Sequence, residues 1–347
     1  MKASLVLEPA VLAMPALSRD EVSITKAIET IVLLSEALRE TDFDICLLSD
    51  AANYLAEADL YPVSRSIDQS LADSGLSHVF TTEDIRRSIQ NILQQAKRLE
   101  STSGVEFLVP EVMQAEPDVL SARTHNSLKE SLEVTLAHVA LLMQKTSKSN
   151  VSVLMADRFA GEEIRLSTDI TEITPVFQGH DKLQNLVCTI ALVESASSFG
   201  EGLDADELWQ IAENETEMRA AISVKACKLR KTSGCTAPKE NCDGFAIGSS
   251  FCATMHRCQS MPSGKYGTLT FESIARLVAK SPTELPKKLY KLSDTGDRVD
   301  VVRDDGAIGW RLHVTKSGEG IRLMFWRLRN ASIEFANVGP KNDVDIH

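Results

Sequence analysis

From residue 299 to residue 338 the chain alternates short apolar runs with polar turns, a rhythm that suits strands rather than a helix. The runs cover 299–303, 308–315, 321–329 and 333–338. Asp304-Asp305-Gly306 separates the first two, and glycine there permits the positive φ that a tight hairpin needs. Ser317-Gly318-Glu319-Gly320 and Asn330-Ala331 separate the others. Helical patterns at 271–278 and 284–292 precede this meander. Residues 269–347 therefore read as a small domain of two helices and a four-stranded antiparallel sheet.

Upstream the period changes. Ser18 and Glu21 match a capping box, in which each side chain satisfies an orphan backbone donor. Ile24, Ile28, Ile31, Leu34 and Leu38 follow at helical spacing. Thr81 and Asp84 open a second helix with Ile85, Ile89, Leu93 and Ala96 on one face. Leu128, Leu132, Leu136, Val139 and Met143 mark a third. A further helix starts at Asp204 or Asp206 and runs through Trp209, Met218 and Ile222. Residues 149–158 read as a short strand, and 160–200 carry β-branched runs without a clear period. The expected class is α+β: an acidic, mainly helical region over 1–219, as one domain or two, then the small C-terminal domain. Between them, 220–268 read as a loop-rich connector that contains cysteines.

A chain of 347 residues is long enough for two domains or three. No apolar run approaches the ~20 residues that span a bilayer, so no membrane partner is expected. Glu8 and Pro9 break the apolar N-terminus where a secretion signal needs an unbroken stretch, which leaves a buried first strand. Seven cysteines, an odd and unevenly spread set, are not a disulfide framework and point to a reducing cytoplasm. The net charge of −12 conceals a division. Residues 1–219 hold 17 basic and 36 acidic side chains, a balance of −19, whereas 220–347 hold 20 and 13, a balance of +7. A basic C-terminal part suits phosphate or nucleic acid. Equally, its cations could simply solvate a small sheet.

Cys227, Cys235, Cys242, Cys252 and Cys258 fall within 32 positions, with His256 between the last two. Zinc takes four such ligands, usually including a closely spaced pair. No CxxC occurs, and His256 and Cys258 are the nearest neighbours, so a zinc site competes with ordinary buried thiols. Phosphate-binding glycine loops, HExxH and GxSxG are absent. Asp294, Asp297, Asp300, Asp304 and Asp305 flank the first meander strand and fit turns better than a metal site. In the second strand, alternation sends Trp310, Leu312 and Val314 to one face and Arg311, His313 and Thr315 to the other. With Arg322, Arg327 and Lys341, that other face is either a wet surface or a concave phosphate site. Arginine's forked donors match phosphate oxygens, and histidine can move a proton near neutrality.

The segments GWRLHV, GIRLMFWRL and IEFANVGPKNDVDIH, within residues 285–347, resemble the RelE/ParE/HigB superfamily of bacterial toxin-like domains. The resemblance covers under a fifth of the chain. It implies two helices followed by an antiparallel sheet. It also implies an activity, since many members are metal-independent endoribonucleases that cut messenger RNA, free or on the ribosome, while others poison gyrase. The matching positions are Arg311, Arg322, Lys341 and His347. On this resemblance Arg311 and Arg322 would hold phosphate, Lys341 would stabilise developing charge, and His313 or His347 would be the acid or base. The implied partners are RNA or the ribosome and an antitoxin-like protein, in a toxin–antitoxin or phage-defence setting. The competing expectation is a non-enzymatic module, zinc-stabilised or not, that binds protein or nucleic acid.

Overall fold

A computed structural model describes residues 3–40, 43–145, 150–155, 161–232, 244–292, 296–315, 320–342 and 345–346. The chain divides into two compact units, Lys2–Leu203 and Asp204–His347. Among the described residues no helix is long and apolar enough to cross a membrane.

The N-terminal unit is α/β, not mainly helical. Strands β1 (Ser4–Leu7), β2 (Asp44–Leu47), β3 (Lys97–Arg98), β4 (Phe107–Glu116), β5 (Val151–Leu154), β6 (Glu163–Thr174) and β7 (Leu183–Val193) form one sheet. Their order is β3-β2-β1-β5-β7-β6-β4. Neighbours from β3 to β7 run parallel, and β6 and β4 extend the sheet antiparallel. The expectation fails for a physical reason. β1 and β5 are four residues each and buried throughout, so they show no alternation. Both segments are expected as strands, but their sheet is not, because their partners are distant in the chain: β1 lies between β2 and β5, and β5 pairs with β7.

Helices α1 (Met14–Leu17), α2 (Glu21–Glu40), α3 (Ala51–Glu57), α4 (Ser64–Asp73), α5 (Thr82–Gln95), α6 (Leu99–Ser103), α7 (Asn126–Lys145) and α8 (Ala196–Gly202) complete this unit. The three long apolar patterns form α2, α5 and α7. The Thr81 hydroxyl caps α5 by accepting from the Asp84 N–H at 3.2 Å. At α2 the Asp20 carboxylate accepts from the Ser23 N–H at 2.9 Å, while Ser18 turns its hydroxyl back to the Met14 carbonyl. The expected Ser18–Glu21 box is therefore replaced by Asp20.

α7 packs against β4, β5, β6 and β7. Its Leu132, Leu136, Val139 and Ala140 join Ile164, Leu166, Ile190 and Leu192 in one apolar cluster. Ser131 and Thr135, also buried on α7, donate their hydroxyls to backbone carbonyls within the helix. His138 is buried in the same helix, its Nδ1 2.9 Å from the Ser103 hydroxyl. Burial pushes its pKa down from 6.5 to about 4, against a smaller opposing pull from Glu100.

That shift sets an acid limit on stability. Below pH 6.5 the unfolded chain takes up a proton that folded His138 refuses until about pH 4. Stability is full above this window and falls as pH drops through it, by up to about 3 kcal/mol. Chemical denaturation of His138→Gln at stepped pH is expected to give a flatter profile than the native chain. Parallel profiles would show that His138 does not set the limit.

At the carboxyl end of β1, Glu8 is fully buried against Arg123, whose Nη2 donates to Oε2 at 2.7 Å and whose Nε donates to Oε1. The Glu8 N–H also donates to the Leu154 carbonyl at the end of β5.

In the C-terminal unit, helices α9 (Ala205–Ile211), α10 (Glu215–Thr232), α11 (Phe251–Arg257) and α12 (Gly267–Val278) accompany seven strands. These are β8 (Phe245–Ile247), β9 (Lys287–Lys288), β10 (Tyr290–Leu292), β11 (Arg298–Asp300), β12 (Ile308–His313), β13 (Arg322–Arg327) and β14 (Ile333–Gly339). Five of them form a sheet in the order β8-β14-β13-β12-β9, and β10 and β11 form a separate hairpin. β8 joins β14 in parallel, whereas the other pairs of the sheet are antiparallel.

Three meander strands thus form where expected, but the two-helix, four-strand arrangement does not. The expected helix over 284–292 is β9 and β10. Leu289 is buried there, yet Leu285 and Leu292 are 86% and 68% exposed, so the leucine stripe has no core to face. The expected helix from 204 breaks into α9 and α10, with the Asp204 carboxylate capping α9. Asp305-Gly306 does form the tight turn, with φ of +85° at Gly306 and its N–H donating to the Arg303 carbonyl.

Candidate functional site

β12 sorts its side chains by alternation. Trp310 and Leu312 lie opposite Phe325 and Leu323 of β13. Phe325 in turn pairs with Phe335, which meets Phe251 of α11, so this is the face that the helices cover. Arg311 and His313 occupy the other face. His313 lies directly opposite Arg322, and Arg311 lies between Met324 on β13 and Lys287 on β9. Directly opposed residues share a face, so Lys287, Arg311, His313 and Arg322 form one cationic patch.

Arg322 is only 8% exposed. Its Nη1 donates to the Lys341 main-chain carbonyl at 2.7 Å. The Nε donors of Arg311 and Arg322 are enclosed without an acceptor. Burial and the nearby Arg311 depress the pKa of Arg322. Burial also pushes His313 below the ordinary imidazole range, helped by Arg322, Arg311 and Lys287 and opposed by Glu284. The imidazole therefore gives up its proton more readily than a free one. The patch thus holds two buried guanidinium Nε donors without acceptors beside a histidine whose charged form is disfavoured.

The remaining candidates fall elsewhere. Lys341 reaches the patch through its carbonyl, which fixes the Arg322 guanidinium. Arg327 lies on the opposite face, with its guanidinium 4.8 Å from the Trp310 ring centre. His347 lies outside the described residues. The chain just before it crosses the cationic face, where the Asn337 amide donates to the Asp345 carbonyl and Ile346 packs beside Trp326.

Cys235 and Cys242 also lie outside the described residues. Cys227 is disulfide-bonded, which removes its sulfur from metal binding. Cys252 and His256 lie within α11, and Cys258 follows it with its thiol against the Val338 carbonyl. Among the described residues no three histidines, cysteines or carboxylates gather into a metal site. No protein-family model, curated protein or solved structure matches this chain.

Lys287 escaped the sequence reading, because a helix over 284–292 pointed it nowhere in particular. Strand β9 gives it Arg311 as a neighbour. Glu284, a carboxylate that acts on His313, escaped for the same reason.

Proposed function

We propose that the C-terminal unit binds RNA through Lys287, Arg311, His313 and Arg322, and that it cleaves the bound strand without a metal. Arg311 and Arg322 hold a phosphodiester. His313 takes the proton of the adjacent 2′-hydroxyl while the 2′-oxygen forms a bond to phosphorus. The bond from phosphorus to the 5′-oxygen breaks, and the leaving oxygen takes a proton from solvent. The two arginines neutralise the charge that builds on the non-bridging phosphoryl oxygens. The observation that carries this reading is the meeting, on one sheet face, of one imidazole and two arginines whose Nε donors are enclosed without an acceptor. The resemblance of these strands to RelE-type domains supports the same direction and suggests a growth-arresting role.

Expression of the full chain in a bacterial host tests it, with growth and RNA integrity followed together. Arrest with RNA cleavage is expected, and Arg311→Ala with Arg322→Ala is expected to remove both. The neutral form of His313 is the acting base, and its titration lies below 6.5. Cleavage by purified protein therefore rises with pH and levels off at a lower pH than a free imidazole would set, and His313→Gln keeps binding while losing cleavage. Bound but intact RNA would leave a binding module and end the nuclease assignment. Folded protein that binds no RNA would end both.

A further inference from the structure

From the cationic patch the chain runs straight into the separate hairpin. β9 places Lys287 beside Arg311, and β10 opens three positions later at Tyr290. β10 and β11 form a two-stranded sheet of their own, in which Tyr290 lies opposite Asp300, Lys291 opposite Val299 and Leu292 opposite Arg298. Opposed residues share a face, and alternation puts Tyr290 and Leu292 on the same one. One face therefore presents Tyr290, Leu292, Arg298 and Asp300, and the other presents Lys291 and Val299.

A two-stranded hairpin has no interior, and all three residues of β10 are exposed. Tyr290 keeps 42% of its surface, and Leu292 beside it is more exposed still. Single exposed apolar residues are ordinary, but an aromatic ring and a leucine sharing one bare face call for a ligand. The Arg298 guanidinium lies 4.6 Å from the centre of the Tyr290 ring. The carboxylate on this face, Asp300, is bound by Lys288 at 2.5 Å. Among the described residues neither Lys291 nor Arg298 has a carboxylate partner.

We propose that the β10–β11 hairpin is an arm for single-stranded RNA, on which a base stacks against the Tyr290–Arg298 pair and the neighbouring phosphates are drawn to Arg298 and Lys291. A ring held against a guanidinium, next to an exposed leucine, selects a flat and weakly polar body. Two cations without carboxylates select an anion. An unpaired base on its phosphate chain supplies both. A duplex does not, because its bases already stack on one another. An acidic peptide would leave the ring bare, and an apolar one would leave the cations unmatched. The arm rests on the proposal that the cationic patch binds RNA, and it narrows that substrate to an unpaired strand. Lys287 and Tyr290 stand at most about 11 Å apart along the main chain, so one strand can touch both.

Fluorescence polarisation and photo-crosslinking of the full chain test it, with a short labelled single-stranded RNA that carries 4-thiouridine and with the same sequence as a duplex. The single strand is expected to bind more tightly than the duplex and to crosslink to the peptide that holds Tyr290. Tyr290→Ala is expected to weaken single-strand binding about tenfold. Tyr290→Phe is expected to keep the native affinity, because the ring stacks and the hydroxyl does not. Arg298→Gln is expected to weaken binding and to flatten its salt dependence. The crosslink is read on the native chain, so the contact is tested even where a variant fails to fold. Affinity lost with Arg311→Met and Arg322→Met but kept with Tyr290→Ala would overturn the arm and leave the patch. The reverse pattern would support the arm and end the patch. A duplex bound as tightly as the single strand, no crosslink to the hairpin, or no RNA binding by the native chain would each overturn the proposal.

Discussion

Replacement of Arg322 by methionine is expected to stabilise the C-terminal unit by about 1 kcal/mol and to weaken RNA binding about tenfold or more. The two effects share one cause. Arg322 is a nearly enclosed charge, its Nε has no acceptor, and Arg311 stands beside it. Methionine has similar reach, fills irregular space and removes the cost of an unpaired buried charge. The lost bond to the Lys341 carbonyl offsets part of that gain. Without the guanidinium, an RNA phosphate loses a charge-assisted hydrogen bond, which is stronger than a neutral one. Urea denaturation followed by tryptophan fluorescence measures the first effect, since Trp209, Trp310 and Trp326 all lie in this unit. Fluorescence polarisation with labelled RNA at fixed salt measures the second. A destabilised variant with unchanged RNA binding would make Arg322 a structural residue and remove the main support for the site.

Glu8→Gln is expected to cost the N-terminal unit about 3–5 kcal/mol. The Glu8 and Arg123 side chains are only 1% and 9% exposed, so loss of the carboxylate's charge leaves a guanidinium in a dry interior. The loss falls at the carboxyl end of β1, where the Glu8 backbone also ties this strand to β5. Glu8→Gln combined with Arg123→Met is expected to recover much of the stability, because the second change removes the stranded charge. Tryptophan fluorescence does not report this unit, so far-ultraviolet circular dichroism is the measurement. Additive losses in the double variant would show that the two residues act separately.

What the sequence discloses follows from how each element is buried. β12 and β13 are long enough to alternate, and the Asp305-Gly306 turn fixes where the meander folds back. Spacing on β12 therefore places Arg311 and His313 together, whereas Arg327, expected beside them, falls on the opposite face. α2, α5 and α7 are legible because each keeps an apolar period over many residues. The parallel sheet is not legible, since β1, β2 and β5 are four-residue pieces whose partners are distant in the chain. The Glu8–Arg123 pair is hidden for the same reason: 115 positions separate its members, and nothing local marks either. Leucines 285, 289 and 292 mislead because a helical spacing arises there without a helical core. That error moved Lys287 and Glu284 away from the site they share.

The pairing of β8 with β14 also decides the order in which the C-terminal sheet can be assembled. Phe245 lies beside Ile333, roughly ninety residues downstream. During synthesis β8 leaves the ribosome long before the strand that holds it, and β12 and β13 emerge in between. The cationic face gains its last support, the Lys341 carbonyl under Arg322, only after β14 has followed. Until residue 341 is in place, the Arg322 guanidinium lacks that acceptor.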